Sequence, residues 1–305
     1  MKGIVFRSTG SWYEVYADDQ KKYACRIRGK LRLEGIKETN PVAVGDHVAF
    51  DLEDAGGAIT EILPRRNHIL RQSVKKTGHS QVLASNVDQV MLIATFKLPR
   101  TSLGFIDRFL VSAESFRIPQ LLIFNKSDLL DDEETQELKK IIQLYESFGV
   151  KALLVSAIED DDLSILSTLI DGKVTLVAGH SGVGKSTLLN RLSAAIDQST
   201  SPISDFSNKG THTTTFAEMF QVNTNTYIID TPGIKEWGLV DMSQQEISDY
   251  FPEMRELRSD CKFAARCLHL NEPKCKVIDA VQTGEIALSR YESYRSMVTG
   301  EDNRK

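Results

Sequence analysis

The chain predicts an α/β fold, a largely parallel sheet carrying a phosphate-binding loop, flanked by a small β-barrel and by a helical metal-binding module. Three observations predict it. From Asn86 onward the apolar runs QVMLIATF, PQLLIFN, KALLVS and VTLVA alternate with helical stretches near Phe105 to Phe116, Glu133 to Phe148 and Asp162 to Ile170. Buried strands alternating with amphipathic helices build a sheet covered on both faces. Residues 2 to 64 instead show five short alternating runs, and beyond Trp237 the sheet pattern gives way to helices around a Cys/His cluster.

In chain order, GIVFRS, WYEVYAD, KYACRIRGKL, HVAFDL and AITEIL are five strands separated by polar turn clusters, a size that fits an OB-fold-like barrel over residues 1–65. Arg26, Arg28, Lys30 and Arg32 alternate along one run and project to one face. With Trp12, Tyr13, Tyr16 and Tyr23 they offer a nucleic-acid platform; a solvated strand face over an aromatic core is the alternative. Residues 66–85 lack sustained periodicity, and Arg65 to Ser85 holds five basic residues, which reads as a basic connector. The nucleotide-binding domain spans 86–240 and the metal module 241–305, with helices expected over 244–258 and from Ala280 to Met297.

Composition sets bounds. The chain has 305 residues, enough for two or three modules. Its net charge of -5 combines +4 over residues 1–80 with -9 over the rest, so any polyanionic partner is expected at the N-terminal module. Apolar runs stay short of a membrane span and MKGIVFRSTG lacks a signal-peptide core, so a soluble cytoplasmic protein is expected.

The chemistry centres on Gly179-His180-Ser181-Gly182-Val183-Gly184-Lys185-Ser186, which fits G-x-x-x-x-G-K-[ST] between the strand VTLVA and a helix beginning at Thr187. Backbone N–H groups of such a loop converge on phosphate oxygens at a helix N-terminus, Lys185 reaches the β/γ-phosphates, and Ser186 ligates Mg²⁺. Strand TYIID runs into Asp230-Thr231-Pro232-Gly233, a D-x-x-G pattern whose carboxylate holds the Mg²⁺ water shell and whose Gly233 N–H senses the γ-phosphate. Strand PQLLIFN runs into Asn125-Lys126-Ser127-Asp128, an N-K-x-D pattern. The Asp128 carboxylate can accept from guanine N1–H and the 2-amino group, donors that adenine lacks. KALLVS ends at Ser156-Ala157, where a backbone N–H meets guanine O6. Between the phosphate loop and D-x-x-G lies Gly210 to Thr215, in which Thr214 or Thr215 completes the Mg²⁺ shell. Ile234 stands where many GTPases orient water with glutamine, so intrinsic turnover is expected to be slow and stimulated by a partner. His212 and Lys185 are the candidate catalytic residues, His212 as the group that orients water; an exposed loop histidine is the alternative.

Cys261-x₅-Cys267-x-His269-x₅-Cys275 supplies three thiolates and an imidazole, a closed tetrahedral set for one structural Zn²⁺. Cys25 stands apart and is expected to pack as a small apolar side chain.

The recognition motifs precede the phosphate loop, an inverted order that leaves the same pocket possible if the sheet is kept. With the barrel, N-K-S-D, G-H-S-G-V-G-K-S-T, T-H-T-T-T, D-T-P-G and the zinc cluster, the chain resembles the circularly permuted GTPases of small ribosomal subunit biogenesis, the RsgA (YjeQ, YloQ) family, over nearly its whole length. The resemblance implies GTP hydrolysis coupled to late maturation of the 30S subunit. It also implies bound GTP or GDP with Mg²⁺, and 30S and 16S rRNA as partners of a monomer contacting RNA through its barrel and zinc module. The Cys261 to Cys267 spacing is one residue longer than the family usually has. An RNA-binding adaptor with a purely structural nucleotide, or a GTPase of another assembly, are the competing readings. Nucleotide state is expected to reposition the zinc module through residues 234–260.

Overall fold

The computed structural model describes residues 1–29, 41–53, 56–72, 80–160, 163–197, 217–231 and 242–300. The five expected barrel strands form as β1 (Lys2–Ser8), β2 (Tyr13–Ala17), β3 (Lys22–Ile27), β4 (His47–Glu53) and β5 (Gly56–Ile62). They pair in the order β1-β2-β3-β5-β4, and β1 pairs again with β4, which closes the barrel. Its core is Val5, Tyr13, Val15, Cys25, Val48, Phe50 and Ile59, so Cys25 packs as an apolar side chain. Closure brings Gly57 against Cys25, where a Cβ would lie 2.6 Å from the thiol sulfur.

Within the stretch read as a connector, the described residues form a two-stranded antiparallel ribbon, β6 (His68–Gln72) and β7 (Ser80–Ser85), with a register shift between Ile69 and Leu70. Alternation is broken by that shift, which is why periodicity missed the ribbon. Buried Asp46 fastens it to the barrel: its carboxylate accepts from Arg65 at 2.7 Å, from the Ser85 hydroxyl at 2.6 Å and from the Ala43 N–H at 2.8 Å.

The α/β domain is built on β8 (Gln89–Thr95), β9 (Gln120–Asn125), β10 (Lys151–Leu154), β11 (Val174–Ala178), β12 (Glu218–Asn223) and β13 (Thr226–Asp230). The order is β10-β9-β8-β11-β13-β12, parallel except for β12. Every residue of β8 is buried, as a central strand covered on both faces requires. Its Val90, Leu92 and Ala94 pack with the α1 (Leu103–Ser115) and α2 (Asp132–Ser147) side, while Met91 and Ile93 pack with α3 (Ser164–Ile170) and α4 (Lys185–Asp197). Antiparallel β12 pairs with β1 of the barrel, so one sheet runs through both modules.

The C-terminal module begins with α5 (Gln244–Ile247) and α6 (Pro252–Arg255), separate short turns where 244–258 reads as one helical stretch. The closing helix expected over Ala280 to Met297 is two helices, α7 (Lys276–Thr283) and α8 (Leu288–Thr299). Gly284 ends α7 in the left-handed region at φ 80°, the usual glycine stop. The module packs on the nucleotide domain, with Val111 of α1 joining its core.

Candidate functional site

The phosphate-loop strand β11 lies at the centre of the sheet between β8 and β13. Pairing of Val177 with Asp230 sets the D-x-x-G carboxylate beside the start of the loop, and pairing of Thr95 with Asn125 brings the N-K-x-D strand to the same edge. Parallel register thereby collects at one sheet edge the motifs that the chain order separates.

Gly179, Gly182 and Gly184 have φ of 152°, 84° and 89°, and a Cβ on Gly184 would meet the Asn125 amide at 2.3 Å. Val183 is fully buried and pins the loop, while Ser181, Ser186 and Thr187 are exposed. The helix starts at Lys185, two residues before the expected Thr187. Lys185 Nζ donates to the carbonyls of Gly179 at 2.8 Å and His180 at 3.1 Å, which folds it back across the loop. Burial lowers its pKa, and the Asp230 carboxylate opposes that. His180 stacks on Phe105 of α1 with ring centroids 3.9 Å apart; burial, then the Lys185 charge, lower its pKa.

Asn125 is buried and ties base loop to phosphate loop. Its amide donates to the Val183 carbonyl at 2.8 Å, and its carbonyl accepts from the Ala157 N–H at 2.9 Å. Both backbone N–H groups that the sequence offers to guanine O6 are engaged, that of Ala157 by Asn125 and that of Ser156 by Asp160. Asp128 sits on the turn after β9, behind left-handed Lys126 at φ 67°, and Ser156 donates its hydroxyl to Asp128 Oδ1 at 2.6 Å. That bond fixes the carboxylate plane. Lys126 Nζ donates to the Leu98 carbonyl at 2.5 Å. Thr231 is buried and donates to the Val177 carbonyl, which anchors the strand end after Asp230.

Thr214, Thr215, His212 and Gly233 lie outside the described residues, as do Lys30 and Arg32 on the barrel. Of the barrel aromatics, Tyr13 is core, Tyr16 stacks on Phe6 and Tyr23 packs against Phe50, while Trp12 is 39% exposed with the Arg26 guanidinium 3.8 Å from its ring centre. Arg28 pairs with Asp51 and Glu53.

Sequence reasoning missed two features. The loop after β8 folds back over the phosphate loop: Pro99 lies 3.5 Å from the Cβ direction of Gly182, and Thr95 and Thr101 bond to each other. Polar residues on a strand end carry no signal for such a roof. The second is a buried ionic anchor between α1 and α8, Asp107 with Arg290 at 2.6 Å. Its trace in the sequence is an acid inside the apolar stretch LGFIDRFLVSA.

Cys261, Cys267, His269 and Cys275 are all buried, and their donor atoms lie within 4.8 Å of one another. Cys261 Sγ is 3.8 Å from Cys275 Sγ and 3.6 Å from His269 Nδ1, which is 3.2 Å from Cys275 Sγ. A tetrahedral Zn²⁺ with bonds of about 2.3 Å to sulfur and about 2.0 Å to nitrogen gives edges close to these, so the four residues fit the ion. Burial pushes the Cys275 thiol up to about 12 and raises that of Cys267, a cost that a bound cation offsets by stabilising thiolates. Glu272 accepts the N–H groups of Leu268, Leu270 and Asn271, and Tyr291 and Tyr294 donate to the carbonyls of His269 and Leu268. Five residues separate Cys261 from Cys267, and Ala264–Arg266 within them turn as 3-10 helix with Ala264 left-handed at φ 43°. The longer spacing is absorbed at the surface and leaves the ligand set intact.

A central phosphate loop, with recognition motifs upstream and the D-x-x-G strand downstream in one sheet, defines the class: a circularly permuted P-loop GTPase with a closed five-strand barrel and a Cys₃His cluster. Comparison with known proteins agrees. The RsgA GTPase model matches residues 62–240 and the RsgA N-terminal domain model residues 2–59. The chain is 49% identical over 307 residues to the small ribosomal subunit biogenesis GTPase RsgA of Christiangramia forsetii, covering 99% of this chain and 97% of that one. It is 47% identical to RsgA 2 of Bacteroides thetaiotaomicron, with 100% and 98% covered. Among solved structures, YjeQ from Thermotoga maritima superposes with a TM-score of 0.77 at 32% identity (100% and 99% covered), and YloQ, a circularly permuted GTPase, with 0.73 at 30% (100% and 96%). The chain belongs to the RsgA GTPase family and is a GTP-hydrolysing enzyme.

Proposed function

We propose that this GTPase acts in maturation of the small ribosomal subunit, binding and releasing the particle according to the nucleotide it holds. The observation that carries the nucleotide half is the Asn125 bridge, which joins the N-K-x-D and S-A loops to the phosphate loop in one rigid cradle. Asp128 reads guanine N1–H and the 2-amino group with its two carboxylate oxygens, Oδ1 keeping a lone pair for the base beside the Ser156 hydroxyl, and the Ala157 N–H is shared between Asn125 and O6. Loop residues 179–186 hold the phosphates through backbone N–H groups and Lys185, while Ser186 would ligate Mg²⁺ and Asp230 would hold its water shell. Bound Mg²⁺ supplies neutralisation of phosphate charge. From sequence, Thr214 or Thr215 and Gly233 sense the γ-phosphate and His212 orients the attacking water.

The ribosomal half rests on the relatives' shared name and on two exposed rings lying against cations. Trp12 lies against Arg26, and Phe263, 43% exposed, has Lys262 Nζ 5.3 Å from its ring centre. Such pairs stack on nucleobases while the cation meets phosphate. They are the 16S rRNA contacts of the barrel and the zinc module, in a cytoplasmic monomer whose thiols stay reduced. The test is co-sedimentation with 30S particles in GDP and in a non-hydrolysable GTP analogue, with phosphate release measured alongside. Nucleotide-dependent binding and turnover raised by about 10³-fold or more are expected. Equal binding in both nucleotides, or flat turnover with added 30S, refutes the assignment; His212→Ala must lower turnover with little loss of GTP affinity.

A further inference from the structure

Arg191, two turns into α4, leaves the phosphate-loop helix and reaches the base-reading loop. Its Nη1 donates to the Ala157 carbonyl at 3.0 Å and its Nη2 to the Asp160 carbonyl. Asp160 in turn accepts the Ser156 N–H on Oδ2 at 2.5 Å, and the Ser156 hydroxyl, fixed also by the Glu159 N–H at 3.0 Å, donates to Asp128 Oδ1. A planar guanidinium spans two carbonyls at once, which an ammonium on a flexible stem does not. The network therefore runs without a gap from the helix that starts at Lys185 to the carboxylate of the N-K-x-D motif.

We propose that Arg191 is a positioning residue for guanine selection. It holds the loop from Ser156 to Asp160 so that Ser156 presents Asp128 in the plane of the base. It touches neither base nor phosphate. The proposal rests on the reading that Asp128 recognises guanine, and it adds that the selectivity of Asp128 is set from α4. Removing the fork leaves two carbonyls without their donor and frees Ser156 to rotate, so the contact to the 2-amino group loosens first. Phosphate contacts from loop 179–186 stay in place.

The test uses the full-length zinc-loaded enzyme, with Kd and kcat for GTP and for ITP, whose base lacks the 2-amino group. Arg191→Met is expected to weaken GTP binding about tenfold and ITP binding by about threefold or less, with kcat at saturating GTP within about twofold. Arg191→Lys, which keeps the charge and reaches one carbonyl, falls between. Equal losses for GTP and ITP overturn the proposal, since they mark general loosening, and so does a fall in kcat with affinity unchanged. If the methionine variant does not fold, the GTP-to-ITP ratio of the lysine variant decides. Asp128→Asn separates the two levels: it offers a donor to the C2 carbonyl of xanthine and should shift preference from GTP to XTP. Without that shift the guanine reading itself fails; with it, an unchanged ratio in the Arg191 variants removes Arg191 alone.

Discussion

Replacing Arg290 by methionine tests what holds the zinc module to the GTPase domain. Arg290 is 2% exposed; its Nη1 lies 2.6 Å from Asp107 Oδ1 and its Nε 2.7 Å from Glu253 Oε1. The Phe148 and Phe251 rings lie 4.2 and 4.5 Å from its guanidinium carbon. Burial works against its charge, and Asp107 and Glu253 outweigh that, so its pKa is raised. Methionine keeps an apolar stem of similar length and removes the guanidinium, with its charge, its hydrogen bonds and its stacking on both rings. Asp107, fully buried, is then left with the Tyr145 hydroxyl at 2.8 Å. Breaking a buried pair from one side costs about 3–5 kcal/mol, mostly the penalty of the orphaned partner. Adding Asp107→Asn removes that orphan, so the double variant should be more stable than the sum of the singles by about 1 kcal/mol or more. Urea unfolding by circular dichroism, with hydrogen exchange resolving 244–300 from 86–197, should show the C-terminal module opening first in Arg290→Met. A single unsplit transition within about 0.5 kcal/mol of the parent, or additive singles, refutes the anchor.

Gly184→Ala places a methyl group 2.3 Å from the Asn125 amide at φ 89°, so both loop and bridge must move. GTP binding measured by titration with a fluorescent analogue should fall by about tenfold or more, with the far-UV spectrum kept. Cys261→Ser removes one of four buried donors, and zinc measured by atomic emission should fall below half an equivalent while residues 244–300 gain protease sensitivity. His180 has a lowered folded pKa, so the unfolded chain binds more protons between that value and about 6.5. Its contribution is fully present above the unfolded value and is lost as pH falls through the folded one. Melting midpoints between about pH 7.5 and 5 should decline, and His180→Gln should flatten part of that slope.

Strand alternation and motif chemistry were legible because each is local. Val90, Leu92 and Ala94 against Met91 and Ile93 spell a two-faced strand, and the glycines of the phosphate loop stand at left-handed positions. The ribbon of residues 68–72 and 80–85 escaped because its partners face each other across a register shift, so neither strand alternates cleanly. The break at Gly284 was written in Thr283-Gly284-Glu285, but helical periodicity on both sides hid it. Asn125 illustrates a deeper limit. Its place in N-K-x-D suggests contact with a ligand, yet both ends of its amide are taken by backbone of other loops. Arg191 and Lys126 likewise donate to carbonyls, and a carbonyl acceptor leaves no mark on the sequence.

Permutation has a mechanical consequence that the packing sharpens. β13 is the last strand in chain order and the zinc module follows it in sequence, which makes 234–260 the expected coupling segment; residues 232–241 lie outside the described ones. The packed connection is a second one. Phe105 in the first turn of α1 stacks on His180 of the phosphate loop, and Asp107, two residues on, holds Arg290 of α8. A helix is stiff over half a turn, so a shift of Phe105 carries Asp107 with it. Asp107 cannot move alone, because Tyr145 and Arg290 both grip the same oxygen. The phosphate loop and the metal module therefore bear on one helix from its two sides. If coupling uses this helix, hydrogen exchange of 103–115 and 288–299 changes together between GDP and a non-hydrolysable GTP analogue. Change confined to the chain after Asp230, with α1 and α8 unaffected, leaves the covalent route alone to carry the signal.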